Sequence, residues 1–165
     1  MIGMNGYVRM YSKGRRKSVY VFLGSEDSAT NKGELKRLNV SRVLVVGSFL
    51  NEHFPEDFEY KVLKVQDSLE QDLMRFFDEA IEFIDKSDGQ SRCLVHCAAG
   101  ISRSSAITVA CLLHHHPEWT VSEALAFART KRPRVHPNSN FMRQLHTYQE
   151  TIVARNAGTS RKDSS

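Results

Sequence analysis

The chain has 165 residues, a formal net charge of +4, 41% hydrophobic residues and three cysteines. That length suits one domain with a sizeable core, and no apolar run approaches the ~18–20 residues of a membrane span. The modest positive charge comes without interleaved exposed aromatics, which argues against nucleic-acid binding. The odd cysteine count argues against a disulfide framework and for a reducing compartment, the cytosol or the nucleus.

In chain order, Met1-Ile2-Gly3 is not a myristoylation start, and no signal-peptide pattern follows it. Residues 7–11 and 19–23 read as strands around the basic turn Ser12-Lys13-Gly14-Arg15-Arg16-Lys17, a hairpin. Residues 31–38 form a short helix and residues 42–46 a buried strand. Residues 61–65 alternate as a strand does, and Asp67 lies just past its end. Ser68-Leu69-Glu70-Gln71 has the form of a capping box. Leu69, Leu73, Phe76, Phe77, Ala80, Ile81 and Ile84 then repeat at helical spacing, which predicts a core-facing helix to about Asp85, with Asp72 inside it.

After the turn cluster 87–91, residues 92–96 read as a buried strand and residues 104–113 as a buried helix. That helix ends in His114-His115-His116-Pro117. Consecutive residues point around a helix and converge poorly on one ion, so a solvated, Pro-terminated end is the better reading. Thr120-Val121-Ser122-Glu123 is a second capping box, opening a helix that ends before Pro133. Residues 138–155 form the last helix, with Phe141, Leu145, Tyr148 and Ile152 on one face, and the polar tail 156–165 is expected to be disordered. Strands alternating with helices predict a three-layer α/β fold with a central, mostly parallel sheet, and residues 1–155 make one domain.

Chemistry concentrates in His96-Cys97-Ala98-Ala99-Gly100-Ile101-Ser102-Arg103-Ser104. A buried strand ends at a cysteine, a small-residue loop follows, and a helix opens at an arginine six positions on. A strand, a tight loop and a helix N-terminus make an anion site, because backbone N–H groups point inward and the helix dipole favours negative charge. Gly100 takes a backbone conformation that a side chain would obstruct. The Arg103 guanidinium matches two phosphate oxygens at once, which a lysine does not. The same surroundings favour a thiolate at Cys97, and the thiolate is the nucleophile. Attack on phosphorus gives a phosphocysteine, splitting one hard displacement into two easier ones. Ser104 is placed to donate to the departing sulfur. His96 is expected to orient the loop through hydrogen bonds rather than act as a base. The remaining cysteines, Cys93 and Cys111, read as small core residues; Cys93 lies about 13 Å from Cys97 along a strand, beyond the ~7 Å Cα limit of a disulfide.

A leaving oxygen also needs a proton. Asp67, at a strand's C-terminal end where α/β sheets bind ligands, is placed to supply it. A plain helix-capping aspartate is the local alternative. An aspartate in the acid role must be protonated, so activity falls as pH rises.

The block from His96 to Ser104 resembles the signature of the protein tyrosine phosphatase superfamily, in its dual-specificity branch. Other stretches resemble that branch in the same order. Val21-Phe22-Leu23-Gly24-Ser25 with Ala29 and Asn31 is similar to its opening strand and helix, and Val65-Gln66-Asp67-Ser68 to its general-acid loop. Arg132-Pro133-Arg134-Val135-His136-Pro137-Asn138, followed by Phe141 and Gln144-Leu145, is similar to its closing motif. The resemblance implies a protein tyrosine phosphatase-like fold and hydrolysis of phosphotyrosine and of phosphoserine or phosphothreonine. It makes Cys97 the nucleophile, Arg103 the phosphate clamp and Asp67 the general acid. Ala98, Ala99, Gly100, Ile101, Ser102 and Arg103 bind the substrate phosphate, with no metal and no cofactor.

Phosphorylated proteins are the implied partners, mitogen-activated protein kinases among them. Members acting on those kinases often carry a separate docking domain that this chain has no room for, so it resembles the small atypical members. Relatives acting on phosphoinositides or RNA 5′-triphosphates often place lysine inside the loop, where this chain has the neutral Ala98, Ala99 and Ile101. Relatives that only bind phosphoproteins usually lack the cysteine or the arginine, and this chain keeps both. Two basic clusters, Arg15-Arg16-Lys17 and Arg129-Lys131-Arg132-Arg134, are ordinary solvated charge or a field that draws in phosphorylated substrates; Arg134 is placed to border the pocket.

Overall fold

The computed structural model describes residues 7–11, 18–86 and 92–160. Five strands, β1 (Tyr7–Tyr11), β2 (Ser18–Gly24), β3 (Arg42–Val46), β4 (Glu59–Leu63) and β5 (Arg92–His96), form one sheet in the order β1-β2-β5-β3-β4. The last four are mutually parallel, and β1 lies antiparallel on β2 with Tyr7 opposite Phe22. The expected turn at 12–17, with its basic cluster, lies outside the described residues. The apolar runs of β3 and β5 follow from this order, because a strand paired on both edges and covered on both faces has no side chain to spend on solvent.

Side chains alternate across a strand, and the core divides accordingly. Phe22, Val43, Val45 and Leu94 face Ala29 of α1 (Glu26–Ala29) and Leu35 of α2 (Lys32–Arg37). Leu23, Leu44, Val46, Cys93 and Val95 face the other layer. That layer holds α3 (Phe77–Asp85), α4 (Arg103–His115), α5 (Val121–Lys131) and α6 (Ser139–Ser160). Every α4 side chain from Ser104 to Leu113 is buried, as its mostly apolar character requires. The three-layer arrangement is therefore the one expected.

Four local expectations change. β4 starts and ends two residues early, with the first register position set by Arg42, whose Nε donates to Glu59 Oε2 at 3.0 Å. The capping box at Ser68 opens no helix. Gln71 instead accepts from the Gln66 amide at 2.8 Å, and its own carbonyl is taken by Asn140 Nδ2 and Gln144 Nε2, each at 2.8 Å. Gln144 Oε1 also accepts from the Leu73 and Met74 amides at 2.8 and 2.7 Å, so the helix begins only there, through a 3₁₀ turn at Met74–Phe76. Tertiary hydrogen bonds from α6 thus override a local cap. Leu69, expected in the core, is 58% exposed, and Asp72 precedes the helix, accepting from the Arg75 amide. Finally, α6 runs to Ser160, so residues 156–160, expected in a disordered tail, are helical; Ala154, Arg155 and Ala157 are strong helix formers.

The histidine run behaves as helix geometry predicts, with three directions for three rings. His114 is exposed, His115 is buried, and His116 stacks on Trp119 at 4.3 Å between centroids.

Gln144→Ala removes an acceptor from two amides and a donor from Gln71. It should lower unfolding free energy by about 2 kcal/mol, read from urea denaturation; wild-type stability would mean that α3 starts without it.

Candidate active site

The loop between β5 and α4 is held from outside. Ala98 O accepts from the Glu26 amide at 3.1 Å, and Ile101 O from the His136 amide at 2.8 Å. Between them, Arg132 spans two carbonyls, with Nη2 on Ala99 O at 3.2 Å and Nε on Gly100 O at 2.9 Å. Ser102 O enters the first turn of α4 by accepting from Ala106. The N–H and C=O of one peptide unit point in opposite directions. With the carbonyls of 98 to 101 drawn outward, the amides of Ala99, Gly100, Ile101 and Ser102 face the interior of the loop, alongside the α4 N-terminus. This is an anion cradle made of backbone. Gly100 makes it possible at φ +65°, and a Cβ there would fall 2.5 Å from Gly24 O and 2.7 Å from Arg132 Nη2.

Cys97 forms the floor of the cradle, 2% exposed, with Sγ 3.1 Å from the fully buried Ser104 Oγ. Arg103 opens α4 and turns its guanidinium over the end of β3, where Gly47 leaves room: a Cβ there would lie 2.9 Å from Arg103 Nη1. Arg103 Nε is buried and has no hydrogen-bond partner among the described residues. A guanidinium nitrogen buried without an acceptor among the described residues, beside inward-facing amides, fits a phosphate.

Asp67 reaches this loop from the other side of the sheet edge. Its Oδ1 accepts from Ser102 Oγ and from Asn138 Nδ2, both at 2.8 Å, while the Asn138 amide donates to Ser102 Oγ at 3.0 Å. β4 and β5 are both parallel to β3, so the strands preceding Asp67 and Cys97 end at the same edge. The structure therefore brings Cys97, Arg103, Ser104 and Asp67 to one edge of the sheet.

His96 lies beneath the loop, where neither ring nitrogen has a well-formed side-chain hydrogen bond and the Cys97 backbone faces the ring. Its natural partner, Glu26, is drawn away by His53, whose Nε2 lies 2.5 Å from Glu26 Oε1, leaving Oε2 3.6 Å from His96 Nδ1. Burial pushes the imidazole down to about 4, against the opposing pull of Glu26. His96 is a neutral, packed ring beneath the loop. Cys93 and Cys111 are fully buried free thiols as expected, and burial pushes Cys93 up to about 12.

Sequence reasoning placed Arg132 and Asn138 in a motif, and Arg132 in a basic cluster, but gave neither a contact with the loop. Arg132 lies 32 positions from the carbonyl it holds, and nothing local signals such a pairing. Burial, then the charge of Arg134, lowers the proton affinity of Arg132, and the charge of Cys97 opposes them. Arg134 itself is exposed.

Residues 21–151 match the family described as dual specificity phosphatase, catalytic domain. The chain is 41% identical over 133 residues to dual specificity protein phosphatase 1 of Arabidopsis thaliana, covering 80% of this chain and 67% of that protein. It is 40% identical over 136 residues to the Slingshot homolog protein phosphatase of Xenopus laevis, covering 82% of this chain but only 20% of that one. Among solved structures, human DUSP28 superposes with a TM-score of 0.74 at 28% identity, covering 82% of this chain and 94% of that one. The human tyrosine phosphatase-like serine/threonine/tyrosine-interacting protein gives 0.73 at 29%, covering 81% and 93%. A match across most of the chain, enclosing both the cradle and the Asp67 loop, settles the family: this chain belongs to the dual specificity phosphatase catalytic-domain family and is a hydrolase acting on phosphoproteins.

Proposed function

We propose that Cys97 is the nucleophile of this phosphatase, Arg103 its phosphate clamp, Asp67 its general acid and Ser104 the donor to the departing thiolate. The observation that carries this reading is the outward anchoring of the four carbonyls from Ala98 to Ile101 around Cys97 Sγ. The inward amides and the Arg103 fork hold the non-bridging phosphate oxygens, whose charge they match through the transition state. Sγ attacks phosphorus as the bond to the leaving oxygen breaks, and Asp67 gives that oxygen its proton. In the second step Asp67 takes a proton from water, the water oxygen attacks the phosphocysteine, and the P–S bond breaks. Ser104 Oγ, 3.1 Å from Sγ, donates to the sulfur as negative charge returns to it.

Three features support a protein substrate in a reducing compartment. The loop side chains Ala98, Ala99 and Ile101 are neutral, giving no extra cation for a polyphosphate or an inositol headgroup. Both Cys97 and Arg103 are present, unlike a module that only binds. All three cysteines are free, and a working thiolate requires surroundings that keep it reduced, which supports the reading of a cytosolic or nuclear enzyme. Mitogen-activated protein kinases are one substrate class within this proposal, so the decisive substrate is a peptide phosphorylated on both threonine and tyrosine.

Wild type should release phosphate from both positions, and Cys97→Ser or Arg103→Lys from neither. Asp67→Asn should slow poor leaving groups by about 10²-fold or more and good ones far less; equal slowing of both would remove Asp67 from its role. Arg132→Ala frees the Ala99 and Gly100 carbonyls, and should cut turnover by roughly 10²-fold while weakening inhibition by vanadate. Unchanged vanadate affinity would mean that the loop holds its shape alone.

His96 predicts a pH dependence of folding. Below about 6.5 the unfolded chain takes up a proton that the folded chain refuses until about 4. The contribution of neutral His96 is complete above the upper value and is lost as pH falls towards the lower one. The accumulated loss reaches about 3 kcal/mol. Urea denaturation of wild type and His96→Asn between pH 7 and 4.5 should show the flatter profile in the variant; parallel profiles would show that His96 titrates alike in both states.

A further inference from the structure

We propose that Asp85, Cys111 and His115 form a binding site for a zinc-type divalent cation, between the C-terminal ends of α3 and α4. Of the three consecutive histidines, only His115 turns into the protein. Cys111 lies four residues before it, one helical turn away on the same face. Asp85, the last residue of α3, meets both. One donor atom from each, a carboxylate oxygen, Cys111 Sγ and an imidazole nitrogen, all fall within 4.8 Å of one another, with His115 Nε2 2.9 Å from Asp85 Oδ1. The convergence that consecutive histidines cannot achieve is thus reached by one of them with two residues from elsewhere.

The donor set selects the ion. Thiolate with imidazole and carboxylate suits zinc and its borderline relatives, whereas magnesium and calcium take oxygen. Three protein ligands leave the fourth tetrahedral position to water. Zinc bonds of about 2.3 Å to sulfur and 2.0 Å to nitrogen put tetrahedral donors roughly 3.3–3.5 Å apart, so the widest separation closes by about 1 Å while the His115–Asp85 pair opens slightly. Cys111 is fully buried and the His115 side chain 3% exposed, so neither needs much desolvation, while Asp85, at 30%, faces solvent. Asp85 also lines a cleft of about 640 Å³ between β4 and α3, with Glu59, Glu79, Glu82, Lys61 and Lys86. Lys61 pairs with Glu79 and Lys86 with Glu59, which leaves Glu82 and Asp85 as the cleft carboxylates without a lysine partner among the described residues. A cation therefore has an attractive approach.

Binding is an exchange of a proton for a metal. Burial first, then the charge of Asp85, pushes the Cys111 thiol well above its ordinary range, so the metal-free sulfur keeps its proton. On coordination the S–metal bond forms, the S–H bond breaks and the proton leaves to solvent, while His115 binds as neutral imidazole. His115 lies twelve residues along α4 from Arg103, about 18 Å at helical rise, so the ion takes no part in phosphate chemistry. It ties α3 to the helix whose other end carries the cradle.

The test uses the full chain with Cys97→Ser, so that the catalytic sulfur cannot compete, stripped with chelator and titrated with cobalt(II). One equivalent should produce a thiolate-to-cobalt charge-transfer band with tetrahedral d–d absorption, both displaced by zinc(II). Adding Cys111→Ala should abolish the charge-transfer band, with circular dichroism confirming the fold. His115→Gln, and Asp85→Asn at the solvent-facing side of the site, should each weaken cobalt affinity about tenfold or more. No charge-transfer band in folded protein would overturn the site, as would a band of equal intensity surviving Cys111→Ala.

Discussion

Everything at the catalytic edge depends on four carbonyls that point away from Cys97. An inward-facing ring of amides is unfavourable in isolation, because each buried N–H without an acceptor costs about 1–3 kcal/mol. The loop keeps that shape because its other polar half is satisfied. Glu26 takes Ala98 O, Arg132 takes Ala99 O and Gly100 O, and His136 takes Ile101 O. These anchors come from the start of α1 and from the segment between α5 and α6. The cradle is therefore a property of the assembled fold rather than of nine consecutive residues. A phosphate completes it by supplying the acceptors that the protein withholds.

The sheet order explains why those parts meet. With β5 between β2 and β3 and all three parallel, the ends of three strands converge on the same edge. β2 delivers the Gly24 carbonyl against which Gly100 sits, and β3 delivers Gly47 beneath the Arg103 guanidinium. Both contacts are closer than a side chain allows, so backbone itself shapes the walls. α4, buried on nearly every face, then holds Arg103 and Ser104 without freedom to drift.

What was legible in the sequence was local. The spacing from Cys97 to Arg103, the single glycine and the apolar helix behind them are all set within one short stretch, where strand, turn and helix chemistry can be read directly. Asp67 was legible only as a residue beyond a strand, where an acid and a plain cap read alike and the family resemblance favoured the acid. The errors lie where a distant group wins. Ser68 to Gln71 carries a good capping pattern, yet Asn140 and Gln144 take the Gln71 carbonyl from about 70 residues away and hold the stretch as a loop. His53, on another segment, takes the Glu26 carboxylate beside His96, a pairing that nothing local signals. Arg132 sat in view within a motif, and only the folded chain shows which carbonyls it reaches.

Asp67, the proposed acid, is exposed, and its partners come from the phosphate loop and from α6's leading segment. Ser102 Oγ accepts from the Asn138 amide, so its one hydroxyl proton is free to go to Asp67 Oδ1. Asn138 Nδ2 donates to that same oxygen. Two donors on Oδ1 leave a catalytic proton no place there, so it resides on Oδ2. The direction of proton delivery is thereby fixed by Ser102, a residue of the phosphate loop itself. The proposed acid and the cradle are registered against each other through one hydroxyl. That coupling lets a carboxyl group on a solvated loop act with the positional accuracy that proton transfer demands.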